Sequence, residues 1–496
     1  MNDAFNRKYE IVIGLEVHTQ LRTESKLFSP APVSYGAEPN HSVEPVCLAL
    51  PGVLPVLNAQ AVQCAILAGL ATHCRIHTRS VFERKNYFYP DLPKGYQISQ
   101  FEFPLATDGW IEIPVSDPST PDGGTTTKRI RLTRIHMEED AGKSIHDDSI
   151  AGADATLVDL NRAGIPLIEI VSEPDLRSAA EAGSYLRTLR SILRYIDVSD
   201  ADMEKGHFRC DANVSIRPRG SDELGTRTEL KNLNSFRHVE AAIEAEALRQ
   251  AAVLDSGGAV TQATMAFDVD SARTHVLRLK EDAHDYRYFP DPDLIPLVIA
   301  DADVERLRAQ LPELADEKRI RFERQYGLSE YDSAQLSTSR SLGEFFEAVV
   351  GRSGNAKLAA NWILRDVAKA LSDLDLDLDE SKLTPDALAQ LLTLVEDGTT
   401  TARSAKQLIV DLVREGGDPG AMVRDRGLEA VSDSGVLAAA VEEVVVQHAD
   451  NVAKYRAGET KVLNFLMGQV MRRTGGKADP GTVQDLLVKR MKGDPT

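Results

Sequence analysis

Glu16 and His18 stand two residues apart in Tyr9-Glu-Ile-Val-Ile-Gly-Leu-Glu-Val-His18, where apolar and polar residues alternate. On a strand they point the same way, about 7 Å apart at the backbone, which suits two ligands of one cation. Taken alone, such a pair is more often a half-exposed polar strand face. Further acids on strand-like segments shift the balance. Glu139 follows an alternating run from Ile130, and Glu169 lies inside Pro166-Leu-Ile-Glu-Ile-Val171. Asp211 lies in Arg209-Cys-Asp-Ala-Asn-Val214, and Glu229 shares a face with Lys231. Carboxylates in apolar, β-branched surroundings are unfavourable unless a cation compensates them. Clustered acids with one histidine are hard-cation chemistry, of the kind that holds Mg²⁺ against phosphates.

The run His136-Met-Glu-Glu-Asp-Ala-Gly-Lys-Ser144 ends like a phosphate-binding loop, but Met137 stands where that pattern needs glycine. Three consecutive acids beside the phosphates also oppose that reading. No Ser-His or Cys-His nucleophile arrangement is evident. A second stretch, Arg84 to Gln100, interleaves cations with Tyr87, Phe88, Tyr89 and Tyr96. It fits either a base-stacking surface or a proline-braced loop whose rings fill core.

The elements that must carry these residues change along the chain. To about Pro296 the pattern is strand-rich: Tyr9–His18, Ile130–Met137 and Cys210–Ile216 alternate with one polar face, as in an antiparallel sheet with one open side. Residues 116–128 look like an exposed hairpin connection. Two helices interrupt the strands, one opened by Ser178 with Glu181 three residues on, the other running from Asn234-Ser235 to Gly257-Gly258. Beyond Pro296 the period lengthens to that of helices, with Thr384-Pro385 a good helix start. Gly416-Gly-Asp-Pro-Gly420 is the clearest break. The expected division is therefore 1–295, 296–419 and 420–496, within an α+β chain.

Composition sets limits on this. The 496 residues carry a formal charge of −19, which argues against a sequence-blind nucleic-acid binder. From Asn451 onward, however, nine basic residues face four acidic ones, a local surplus that suits a polyanion or a solvated helical surface. There is neither a membrane-spanning stretch nor a signal-peptide pattern, so a cytoplasmic protein is expected. Cys47, Cys64, Cys74 and Cys210 form no C-x-x-C pair and read as ordinary, mostly buried thiols.

Several longer motifs resemble one family. They are Gly14-Leu-Glu-Val-His18, Gly36-Ala-Glu-Pro-Asn40, Pro51-Gly-Val-Leu-Pro-Val56, Arg84-Lys-Asn-Tyr-Phe-Tyr-Pro-Asp91 and His136-Met-Glu-Glu-Asp-Ala-Gly-Lys143. Pro166-Leu-Ile-Glu-Ile-Val-Ser-Glu-Pro-Asp175, Glu229-Leu-Lys-Asn-Leu-Asn-Ser235, Asp285-Tyr-Arg-Tyr-Phe-Pro290 and Phe465-Leu-Met-Gly-Gln-Val-Met471 complete the set. Together they are similar to the B subunits of aspartyl/glutamyl-tRNA(Asn/Gln) amidotransferases over essentially the whole chain.

The resemblance implies an N-terminal cradle domain with a mainly antiparallel, glutamine-synthetase-like sheet, then a helical domain and a small YqeY-like helical tail that grips tRNA. It implies an ATP- and Mg²⁺-dependent carbon–nitrogen ligase with glutamine as amido donor. The side-chain carboxylate of Glu-tRNA(Gln) or Asp-tRNA(Asn) would be phosphorylated, then amidated by ammonia channelled from an A (amidase) subunit, with a C subunit tying the assembly. Carried over residue by residue, Glu16, His18, Glu139, Glu169, Asp211 and Glu229 would ligate metal or adjoin it. Glu16, His18, Glu139 and Lys231 would act in catalysis, Lys231 facing the transferring phosphoryl group. Arg84, Lys85, Tyr87 and Lys143 would hold the nucleotide.

One departure concerns zinc. Many members carry F-C-x-C followed by V-C-P-V-C, where this chain has Phe28-Ser-Pro-Ala31 and Val43-Glu-Pro-Val-Cys47. One thiolate does not make a structural zinc site, so no zinc is expected. A non-catalytic tRNA scaffold and an enzyme amidating a free acid are the rival readings. The acids with Lys231 speak against the first, and the helical and basic tail against the second.

Overall fold

A computed structural model describes residues 3–116, 124–145, 155–279, 286–430 and 434–492. Most of the expected 116–128 connection lies outside them.

The first part is built on a nine-stranded sheet. Its strands are β1 (Tyr9–Gln20), β2 (Arg75–Ile76), β3 (Ala106–Ser116), β4 (Thr125–Glu139), β5 (Pro166–Ser172), β6 (Phe208–Pro218), β7 (Thr228–Leu233), β8 (Ala263–Asp268) and β9 (Arg273–Leu279). The order is β9-β8-β7-β6-β1-β5-β4-β3-β2, and every pairing is antiparallel except β7 with β8. β1 is central because its odd-numbered residues Ile11, Ile13, Leu15 and Val17 are fully buried, which one covered face requires. That face is covered by α1 (Ala59–Ala71), α2 (Ala179–Tyr195) and α3 (Phe236–Asp255), whose Ile66, Tyr185, Leu186, Leu189, Val239 and Ile243 share one core with the strands.

The helix starts follow the capping residues. Ser178 Oγ accepts the Glu181 N–H at 3.1 Å, while the Glu181 carboxylate reaches back to the Arg177 N–H at 2.7 Å. Ser235 caps α3 through the His238 N–H at 3.1 Å, and Thr384 caps the helix Pro385–Glu396. Each such cap supplies a partner for a backbone donor that the helix leaves unpaired.

The chain divides into two compact units, Met1–Leu314 and Ala315–Thr496. The first unit runs past the expected 295 because Ile299, Val304 and Leu307 join its core. The second unit is helical, from Ala315–Tyr326 to Pro480–Lys492, with one core from Phe322 to Val423 and another from Leu437 to Met491. The break at Gly416-Gly417 is thus a turn inside the earlier core. The helix Pro419–Asp425 after it still buries Val423 there, so the change of core falls beyond Leu428 rather than at 420. Among the described residues, no helix is long and apolar enough to cross a membrane.

Candidate active site on the open face of the sheet

Cross-strand register assembles the site. His18 on β1 lies opposite Glu169 on β5, and Glu169 lies opposite His136 on β4. On the other side of β1, Glu16 lies opposite Asp211 on β6, whose neighbour but one, Asn213, lies opposite Glu229 on β7. Among the described residues this yields two sets of three ligating side chains: His18 with Glu138 and Glu169, and Glu16 with Asp211 and Glu229. In each, the three ligand atoms lie within 4.8 Å of one another.

In the first set, His18 Nε2 is 3.4 Å from Glu169 Oε2 and 3.5 Å from Glu138 Oε1, while His136 Nε2 lies 3.2 Å from Glu169 Oε2. Burial favours the neutral form of His18, but the Glu169 and then Glu138 charges outweigh it and raise His18 to about 9. Burial would likewise raise Glu169, yet His136 and His18 hold it well below the usual carboxylate range.

In the second set, Lys231 Nζ donates to Asp211 Oδ2 at 2.5 Å and lies 3.0 Å from Glu229 Oε1. Asn213 Nδ2 donates to Glu16 Oε1 at 2.9 Å. Burial works against the Lys231 charge, but Asp211 and Glu229 raise its pKa. Glu16 is pushed up by burial and by the charge of Glu169, so it carries negative charge unwillingly without an added cation. Oxygen donors in two adjacent sets, with one imidazole and one destabilised carboxylate, fit a small hard cation such as Mg²⁺.

The remaining expected residues divide. Lys85 faces the acids, with its ammonium 5.0 Å from the Tyr286 ring centroid, and the Glu138 charge raises it against burial. Arg84 points the other way on the short strand Glu83–Asn86. Its Nε donates to Asp291 Oδ2 at 2.8 Å, its Nη2 to Asp293 Oδ2 at 2.9 Å, and it lies 4.1 Å over Tyr96. Tyr87 donates to Gln97 Oε1 at 3.3 Å, and Lys143 lines a neighbouring cavity rather than the acid sets.

Glu139 is a correction. It belongs to neither set: its carboxylate pairs with Lys94 and accepts the Ile98 N–H at 3.0 Å. Glu138 takes the place expected of it, and His136 stands behind Glu169. Sequence reasoning missed both. The signal was available in their i, i+2 spacing, the same one that singled out Glu16 and His18. Cys47 Sγ lies 3.4 Å from Ser29 Oγ and 3.6 Å from the buried Lys26 Nζ. Cys64, Cys74 and Cys210 are buried free thiols.

An acidic, cation-ready face on a sheet backed by helices describes a catalytic domain, and comparison agrees. A family model described as the GatB/GatE catalytic domain matches residues 11–305, and one described as the GatB domain matches residues 344–491. The chain is 51% identical over 486 residues to the B subunit of the aspartyl/glutamyl-tRNA(Asn/Gln) amidotransferase of Geotalea uraniireducens, covering 98% of this chain and 100% of that protein. The B subunit of the Syntrophotalea carbinolica enzyme is 49% identical over 487 residues, covering 98% and 99%. That of Solidesulfovibrio magneticus is 51% identical over 484 residues, with the same coverage. This chain belongs to the family of B subunits of aspartyl/glutamyl-tRNA(Asn/Gln) amidotransferases.

Proposed function

We propose that this subunit uses ATP to phosphorylate the side-chain carboxylate of Glu-tRNA(Gln), Asp-tRNA(Asn) or both, and that ammonia then displaces the phosphate. The observation that supports this reading is the pair of three-residue acid sets on one sheet face, flanked by Lys85 and Lys231.

A carboxylate is a poor acyl donor because oxide is a poor leaving group. In the first step a carboxylate oxygen bonds to the γ-phosphorus of ATP and the bond to ADP breaks. In the second, the ammonia nitrogen bonds to the acyl carbon, phosphate departs with the C–O electron pair, and nitrogen loses a proton. Neither step needs a protein nucleophile, but both need charge neutralisation and alignment. Bound Mg²⁺ would supply charge neutralisation for the phosphate oxygens. His18, Glu138 and Glu169 would hold one such ion, and Glu16, Asp211 and Glu229 another. Lys231, fixed by Asp211 and Glu229, offers its remaining N–H to the transferring phosphoryl group. Lys85 closes the opposite side. An A subunit that releases ammonia from glutamine and a C subunit that joins the two complete the proposed assembly, in the cytoplasm.

The test uses the assembled complex with Glu-tRNA(Gln) or Asp-tRNA(Asn), ATP, Mg²⁺ and ammonium chloride, which bypasses glutamine hydrolysis. Loss of amidated tRNA in Glu169→Gln, with glutamine hydrolysis by the complex retained, supports the assignment. Undiminished amidation by Glu169→Gln contradicts it and favours the scaffold reading.

A further inference from the structure

Lys26 lies between β1 and α1 with only 1% of its surface exposed. A lysine so deeply buried ordinarily has a carboxylate partner. Among the described residues Lys26 has none. Its Nζ donates to the Leu160 carbonyl at 3.2 Å, and its other partner is the Cys47 sulfur at 3.6 Å. Burial lowers the Lys26 pKa from its ordinary value, against the charges around it, and so favours the free amine. A free amine is a nucleophile, whereas an ammonium is not.

Both residues are held in place. The Lys26 N–H donates to the Ala31 carbonyl at 3.0 Å, and Asn58 Nδ2 donates to the Lys26 carbonyl at 3.3 Å. Cys47 lies in a turn closed by the Leu48 N–H on the Glu44 carbonyl at 3.2 Å and the Ala49 N–H on the Val46 carbonyl at 3.1 Å. Ser29 Oγ, 3.4 Å from the same sulfur, is near enough to hydrogen-bond an oxygen carried on it. Cys47 is half-buried, so a small peroxide can reach it, while Cys64, Cys74 and Cys210 are buried. Burial also pushes the Cys64 and Cys74 thiols up to about 11, which leaves little thiolate to attack a peroxide.

We infer that Lys26 and Cys47 form a reversible oxidation site, at which hydrogen peroxide joins the amine nitrogen to the sulfur as a sulfenamide. In the first step the sulfur attacks one peroxide oxygen and the O–O bond breaks, giving a Cys47 sulfenic acid and water. In the second, Lys26 Nζ attacks the sulfur and the S–O bond breaks. The departing hydroxide takes a proton from the nitrogen and leaves as water. The peroxide gains two electrons and the sulfur loses two. A dithiol reverses the link: one thiol attacks the sulfur and releases the amine, and the second then displaces the Cys47 thiol as the reagent closes its own disulfide. The link encloses residues 27–46 and occupies the sulfur, which keeps it from the irreversible sulfinic acid. An amine poised beside the one half-buried thiol is therefore a guard as well as a reactant.

The test treats the assembled complex with hydrogen peroxide, caps remaining thiols with iodoacetamide and maps the peptides by mass spectrometry. Chymotrypsin, cutting after Phe28 and Tyr35, separates Lys26 from Cys47. The expected product is the two peptides joined, lighter than their sum by two hydrogens, and absent after dithiothreitol. Cys47→Ser should not form it. Lys26→Met should instead accumulate Cys47 sulfinic acid, roughly fivefold above the wild type at the same peroxide dose. If Lys26→Met does not assemble, the joined peptide and its reversal in the wild type decide the question alone. Wild-type Cys47 found as unlinked sulfenic or sulfinic acid, a disulfide from Cys47 to another cysteine, or reaction of the buried thiols ahead of Cys47 overturns the inference.

Discussion

Replacing Glu246 by glutamine should loosen the strand that presents Glu229 and Lys231. Glu246 lies on α3, its side chain is fully buried, and it accepts five hydrogen bonds. Thr228 Oγ1 and Thr274 Oγ1 each donate at 2.7 Å, Gln250 Nε2 at 3.0 Å, and Arg249 through Nε at 2.9 Å and Nη2 at 2.7 Å. Thr228 is the residue before Glu229 on β7, so this carboxylate ties the strand that presents Glu229 and Lys231 to its backing helix. Glutamine keeps the shape but turns an N–H₂ group towards donors. Hydrogen bonds to a buried charge contribute about 1.5–3 kcal/mol each, and the half-exposed Arg249 pair contributes less. Because some partners can rearrange, a net loss of roughly 3 kcal/mol is expected.

Burial would raise the Glu246 pKa, but the bonds from Arg249, Thr274, Gln250 and Thr228 bring it below its ordinary value. A carboxylate depressed on folding contributes stability above its unfolded pKa of about 4.3, and this is lost as pH falls through the lower folded value. Glutamine resembles the protonated acid, so the gap between wild type and variant should narrow as pH falls below about 4. Urea unfolding followed by fluorescence in a Trp362→Phe background, where Trp110 alone reports the first unit, should show the midpoint falling by about 1 M at pH 7. An equal midpoint at pH 7, or a gap of the same size at pH 3.5, would refute the reasoning.

Three further outcomes follow from the site. Lys231→Met should lower kcat at least a hundredfold with little change in KM for either substrate, as its proposed contact with the transferring group requires; a pure KM effect would contradict that role. Glu138→Gln should raise the Mg²⁺ concentration needed for half-maximal amidation several-fold, whereas Glu139→Gln, whose carboxylate serves Lys94 and Ile98, should leave that requirement nearly unchanged. Reversed sensitivities in a Mg²⁺ titration would restore Glu139 as the ligand. Cys47→Ser should retain amidation, and elemental analysis of the purified complex should find no zinc that depends on this residue; zinc lost stoichiometrically with Cys47 would contradict the expectation.

Much of the site was legible because strand alternation reports facing directly. Glu16, His18 and Asp211 emerged from it, and Ser178, Ser235 and Thr384 marked helix starts because their side chains cap them. Glu139 failed for a local reason. Ile130 and Leu132 face the core, and unbroken alternation from them would send residue 139 to the open face. The register against β5 shifts between Val171 and Ser172, so that Arg134 and Leu132 are paired and Thr133 is skipped. Beyond that bulge Ile135 and Met137 face the core, and His136 and Glu138 face the site. Nothing in the composition around Thr133 announces the shift. Register across strands was equally hidden, since pairing His18 with Glu169 joins residues 151 positions apart in the chain. Arg84 and Lys85 were both expected to hold the nucleotide, but adjacent strand residues must diverge, and only Lys85 turns to the acids. Gly416-Gly417 marks a helix end, yet the helix after it still packs in the earlier core, because a break in backbone periodicity says nothing about which core the next helix joins.

The central claim is that the side-chain carboxylate becomes the acyl phosphate. The measurement that meets it directly is isotope transfer: tRNA(Gln) charged with glutamate carrying ¹⁸O in its side-chain carboxylate, or the aspartate equivalent on tRNA(Asn), given to the complex with ATP, Mg²⁺ and ammonium. One ¹⁸O atom should appear in the inorganic phosphate for each amidated tRNA formed. Amidated tRNA accompanied by unlabelled phosphate would contradict it.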